Sequence, residues 1–182
     1  NDIRSVEPRI AGRSAVEWGI GEVVVNAFRE AIVLTLCGVM ICLILYFRNF
    51  LTACLVLVPI AFTLILTFAV SSFLALSLNM ANILVVPLII GLGVDSGIHV
   101  THRFFKGGAL KHQQATRRAI LISGLTTLGT FFSLILSPHQ GAASIGLLLT
   151  VAIAWLLLLS LFLLPSLLSF FSQRGLLPAR AV

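Results

Sequence analysis

Gly91-Leu92-Gly93-Val94-Asp95-Ser96-Gly97-Ile98-His99 is the stretch that decides how this chain is read. Five of its six acidic residues (Asp2, Glu7, Glu17, Glu22 and Glu30) lie within the first thirty positions. Asp95 is the only carboxylate after them. It stands late in an apolar run, between glycines, with a histidine four residues on. A lone acid at membrane depth costs roughly 2.5–3.5 kcal/mol on insertion scales, and such residues mark functional sites by default.

The surrounding sequence makes this a membrane setting. The chain is 59% hydrophobic and 10% charged, against roughly 25% charged in soluble domains, and its mean hydropathy is +1.11. Residues 31–47, 49–94 and 119–173 contain no Asp, Glu, Lys or Arg. A spanning helix needs about 20 mostly apolar residues, so these blocks hold one, two and two spans. Lipid cannot satisfy open backbone groups, so isolated spans are helices. The expected fold is an all-α membrane protein with spans at about 31–47, 51–72, 82–102, 119–136 and 142–164.

The formal charge of +6 does not point to nucleic acid. Beyond residue 30 the basic residues are Arg48, Arg103, Lys106, Lys111, Arg117, Arg118, Arg174 and Arg180. All stand at span ends, as topology signals do, rather than on one binding face. Loops 48–50, 103–118 and 166–182 carry them, and the turns at 73–81 and 137–141 carry none. The basic loops and the C-terminus are therefore expected in the cytoplasm and residues 1–30 outside. Cys37, Cys42 and Cys54 match no metal or redox spacing and read as small packing residues. No closed ligand set for a metal is visible, and no cofactor is expected.

Residues 1–17 read as the tail of an extracytoplasmic domain. Residues 18–30 read as an amphipathic lead-in helix at the interface, with Trp18 suited to that depth. Residues 31–170 form the membrane domain and residues 171–182 a cytoplasmic tail. Pro59 and Pro87 fall inside spans, where proline is tolerated, and Pro165 is expected to close the last one. The opening Asn-Asp-Ile-Arg lacks an initiator methionine or a signal peptide, which reads as a piece of a longer protein.

On a helix, Gly91, Asp95 and His99 share one face, extended by His102. Gly93, Gly97 and Thr101 make a small-residue face that allows close helix approach in lipid. The third span is thus expected to be central, with its polar row turned to protein or to an internal cavity. Asp95 lies eight residues from the border at Arg103. Eight residues into the fourth span from Arg118 is Thr126, beside Thr127, within a hydroxyl stripe that includes Ser123, Thr130 and Ser133. These hydroxyls can either line a proton relay with Asp95 or bond back to their own helix carbonyls. His99 either pairs with Asp95 or is an interfacial residue. Asp95 carries protons, forms half of an ion pair with a cation outside the chain, or lines a watery crevice. Gly146, with Ala142, Thr150 and Ala154, reads as a packing row, as do Gly91, Gly93 and Gly97.

The Gly91–His99 stretch followed by Arg103 resembles a motif of the resistance-nodulation-division (RND) superfamily, and most closely its MMPL branch, which includes hopanoid-biosynthesis-associated transporters of Gram-negative bacteria. The stretch from Leu121 to Ser133 is similar to the family's next helix, and Gly141 to Thr150 to its last. The likeness covers about residues 14–170. Members have two similar halves, each with one helix, a large periplasmic porter domain and five further helices. By this resemblance the chain is the five-helix membrane half that follows the second porter domain, in the bacterial inner membrane. Asp95 then falls where the family has its proton-relay residue, and Thr126, Thr127 and Thr130 fall on the adjoining helix. Drug-efflux members carry a lysine on the relay helix, whereas an acid stands here, as in lipid-exporting branches.

The resemblance implies a secondary active transporter rather than an enzyme, exporting hydrophobic or lipid-like substrates such as hopanoids on proton-motive force. Implied partners are membrane lipids, the lipid-like substrate, an N-terminal half of the same transporter and further copies in a homo-oligomer. Two other functions compete. Accessory subunits of protein export share the five-helix half, but usually follow the Val-Asp step with an Asn and an acid, where this chain has Ser96-Gly97-Ile98-His99. A sterol-sensing-type receptor would bind lipid without pumping.

Overall fold

The computed structural model describes residues 13–73, 82, 84–106 and 110–177. It does not describe residues 1–12, the turn around 74–81, the Gly107-Gly108 pair or the last five residues, and the expectations for those segments lie outside the described residues. The described chain is built of helices: α1 (Arg13–Phe47), α2 (Phe50–Phe73), α3 (Val85–Lys106), α4 (Leu110–Ile135), α5 (Gln140–Leu158), a π-helical turn (Leu159–Leu163) and α6 (Leu164–Gln173). Five are long and apolar enough to cross a membrane: Val23–Phe47, Phe50–Phe73, Val85–Lys106, Arg117–Ile135 and the continuous run Gln140–Gln173. The chain is an all-α, multi-pass membrane domain.

The helices extend past several borders drawn from the sequence. Residues 18–30 are the N-terminal part of α1, not a separate helix, and α1 is unbroken for 35 residues. Its apolar part, at 1.5 Å per residue, is about 37 Å long, more than the ~30 Å hydrocarbon core requires. The residues before Arg118 likewise continue into α4.

Pro165 does not close the fifth span. An α-helical proline lacks its N–H and presses on the carbonyl four residues back. Here the turn before it widens: the Leu164 N–H reaches Leu159 O, five residues back. Such a turn spreads the carbonyls the ring would meet, and the helix passes through Pro165 to Gln173.

The centre of the bundle is α2, α3 and α5. Val56, Ile60, Ile89, Ile90, Leu149 and Ala152 are all within 3% of full burial there. Close approach comes from glycine. A Cβ placed on Gly97 would lie 2.6 Å from Val56 Cγ1, and one on Gly93 would lie 2.6 Å from Ile60 Cγ1 and 3.1 Å from Leu156 Cδ1. Helix α1 is tied on by a tight connection. Arg48 takes φ 50°, and Asn49 caps α2 by accepting the Thr52 N–H at 3.2 Å. Helix α4 lies outermost: no residue in its apolar window is buried. It packs mainly on α5, where Gly124 meets Leu157 and Gly146 meets Leu134.

Candidate functional site in the membrane domain

Helix α3 carries the candidate site because its two faces differ. Ile90, Gly93, Val94, Gly97 and Thr101 are buried against α2 and α5. Gly91, Asp95 and His99 stand exposed on the other side. The polar row therefore does not turn into the bundle; within this chain it lies on an open face. The physical reason is that the close-packing glycines hold one side of α3, and α4 leans on α5 rather than closing over Asp95. Gly91 shares the open face: a Cβ there would meet nothing within 4 Å. Its expected packing role is not met within this chain.

Asp95 and His99 do come together. His99 Nε2 lies 3.5 Å from Asp95 Oδ1, and the two side chains are 65% and 77% exposed. That separation is long for a hydrogen bond. The pair borders an open cleft of about 250 Å³ between α3, α4 and α5. Opposite them α4 contributes Ser123, Gly124 and Thr127, and α5 floors the cleft with Leu156 and Leu157.

The three candidate threonines divide. Thr127 reaches the cleft; Thr126 and Thr130 do not line it and are exposed. All three hydroxyls donate to carbonyls of their own helix: Thr126 to Ile122 at 2.8 Å, Thr127 to Ser123 at 3.0 Å and Thr130 to Thr126 at 3.0 Å. Their protons are engaged in this conformation, and their lone pairs remain free to accept. The cleft thus sets one carboxylate, with an imidazole beside it, opposite the hydroxyl-bearing Ser123 and Thr127, over a floor of aliphatic side chains. Among the described residues no three His, Cys, Asp or Glu side chains gather as metal ligands.

Two features were not read from the sequence as part of the site. Ser96 lines the cleft beside Asp95. His102, set aside as a border residue, shares a 3.0 Å hydrogen bond between its Nδ1 and the hydroxyl of Tyr46, which ties the end of α1 to the end of α3. The signal was there: both residues sit at the same basic border of the membrane.

Fold and site together define a multi-pass helical membrane domain with a polar, acid-bearing face on its central helix. Residues 5–181 match the MMPL family, and the chain belongs to that family. It is 33% identical over 151 residues to the hopanoid transporter HpnN of Rhodopseudomonas palustris, covering 83% of this chain and 17% of that protein. The corresponding figures for HpnN of Burkholderia multivorans are 32% over 152 residues, 83% and 17%. A putative membrane protein of Methanocaldococcus jannaschii is 31% identical over 141 residues, 72% of this chain and 36% of that protein. The chain thus spans about a sixth of the length of the hopanoid transporters it matches. No solved structure gives a significant match.

Proposed function

We propose that the chain is part of the membrane domain of a secondary active exporter that uses proton-motive force to move hydrophobic or lipid-like molecules, hopanoids among them, from the bacterial inner membrane. Asp95 is its proton-relay residue, His99 and Thr127 are the neighbours it exchanges with, and residues 1–30 face the periplasm. One observation carries this: the only carboxylate after residue 30 opens into a cleft it shares with His99 and Thr127. A proton crossing the membrane yields about 2.3 kcal/mol per 100 mV, and a carboxyl in mid-membrane is where that energy can bias a conformational change. Kinship with hopanoid transporters supports the substrate class. Its exposure within this chain also fits the reading, because a titrating acid in lipid needs a cover, and the longer relatives have chain enough to supply one.

Substitution at Asp95 tests it. In the full-length protein Asp95→Asn abolishes substrate efflux from energised vesicles while leaving membrane insertion intact, and Thr127→Val causes a smaller loss. Efflux at the wild-type rate from the Asn variant refutes the relay. Lipid binding that survives in that variant without transport is what the exporter reading expects. Lipid binding by a wild-type protein that never transports favours a receptor instead.

A further inference from the structure

A second imidazole stands below the Asp95–His99 pair on α3. His102 follows His99 by three residues, and residues three apart on a helix are neighbours. Its ring is half-buried, and its Nδ1 lies 3.0 Å from the Tyr46 hydroxyl at the foot of α1. His99 looks into the cleft that α4 borders, whereas His102 looks toward α1. The row Asp95, His99, His102 therefore covers about 10 Å of helix, from the carboxylate to the basic border.

Proton-carrying side chains lie on one side of Asp95 only. From Asn82 to Val94 the sequence holds no ionisable residue; from Ser96 to His102 it holds two imidazoles. Beyond them Arg103 and Lys106 stand in the last turn of α3, and as cations they offer donors but no acceptor. Across the cleft the Thr127 hydroxyl proton is committed to Ser123 of its own helix. His102 is faced by His99, Arg103 and Lys106 from α3 and by Tyr46 from α1. In an imidazole whose Nδ1–H donates to the Tyr46 oxygen, Nε2 keeps a lone pair that can accept a proton.

We infer that His102 is the group through which Asp95 discharges its proton at the basic border, an inference that rests on the relay reading of Asp95. The proton leaves the Asp95 carboxyl for His99 Nε2. A water carries one from the His99 imidazolium to His102 Nε2, as ordered water does across gaps too long for a direct bond. His102 then releases it to water at the border. One proton leaves the carboxyl, one enters the aqueous phase, and both imidazoles end neutral. The opposite side of Asp95 has no such side chains, so the helix is wired for proton transfer in one direction.

The test uses the full-length protein in proteoliposomes loaded with a hopanoid, its release read by transfer to acceptor vesicles. A potassium gradient with valinomycin drives release at equal pH on both sides, so a permeant base cannot collapse the driving force. His102→Ala and His102→Gln slow release about 100-fold, the lower end of what a positioned proton-transfer side chain contributes. Free imidazole in the buffer restores much of that rate. Glutamine can still accept the Tyr46 hydroxyl, so the His102→Gln variant separates proton transfer from the tie between α1 and α3. Imidazole restores nothing to Asp95→Asn, which lacks the group to be discharged. Release at the wild-type rate from His102→Gln, or a loss in it that imidazole does not relieve, overturns the outlet and leaves the relay at Asp95 untouched. Wild-type release from Asp95→Asn refutes the relay, and the outlet with it.

Discussion

Gly97→Ala is the sharpest test of the bundle. The new Cβ would stand 2.6 Å from Val56 Cγ1, 3.6 Å from Val56 Cβ and 3.7 Å from the Val56 carbonyl oxygen. Carbon atoms rest at about 3.5–4.0 Å, so Val56 must retreat by about 1 Å. It has little freedom to do so. Valine is stiff at χ1, and Val56 is fully buried between α2, α3 and α5. Overpacking of this kind costs about 1–3 kcal/mol. Alanine offsets about 1 kcal/mol of that as the better helix former, leaving a net loss of about 0–2 kcal/mol. The partner change separates sterics from propensity. Val56→Ala removes the clashing carbon, so the double variant should recover most of the loss, with a coupling of about 0.5–3 kcal/mol as expected for contacting residues. Gly38→Ala is the control, since a Cβ there meets nothing within 4 Å. The assay is reversible unfolding of the full-length protein in mixed micelles, with folded fraction read by far-ultraviolet circular dichroism. A double variant no better than the sum of its parts refutes the close α2–α3 contact.

Three further outcomes follow from the same geometry. Thr52 and Thr101 are fully buried and their hydroxyls have no partner among the described residues. Thr52→Val and Thr101→Val should therefore be neutral or stabilising by up to about 1 kcal/mol in the micelle assay; a loss above about 1 kcal/mol would mean the hydroxyls are satisfied by bound water. Tyr46→Phe removes the exposed bond to His102 and should cost at most about 1 kcal/mol, so a larger loss would give that bond a structural weight its exposure denies. Gly124→Leu should separate α4 from α5, because even a Cβ at Gly124 runs into Leu157; a cysteine cross-link between the two helices that forms as fast as in the wild type would contradict this.

The architecture was largely legible because bilayer physics leaves few choices. Uncharged runs of the right length can only be spanning helices, and the small row of Gly93, Gly97 and Thr101 is on the buried side of α3. Helix ends were not legible, since hydropathy marks where a segment leaves lipid and not where its backbone bonds stop. Matching depths across the helices points to Thr126, and the residue that lines the cleft is its neighbour Thr127. Depth fixes the rise along α4 but not its rotation, and one residue is about 100° around the axis, which separates Thr127 in the cleft from Thr126 outside it. The sequence also defined the Asp95 row without showing what covers it, because periodicity identifies a face and not its neighbour.

The wide turn at Leu159–Leu163 bears on how relatives are aligned. It accommodates one more residue than an α-turn would, so the helix on either side is out of phase by a single position. Buried residues run Leu149, Ile153 and Leu156 before it, Ser160 and Leu161 within it, then Leu164 and Leu168 after it. Regularising the turn without a deletion would swing α6 by about 100°, taking Leu164 and Leu168 off the core, whereas deleting one residue there restores a regular ladder with both still on it. A single-residue gap in this segment therefore marks the loss or gain of the wide turn, with the helix on either side kept in phase, and is to be weighed as a structural substitution and not as loop drift.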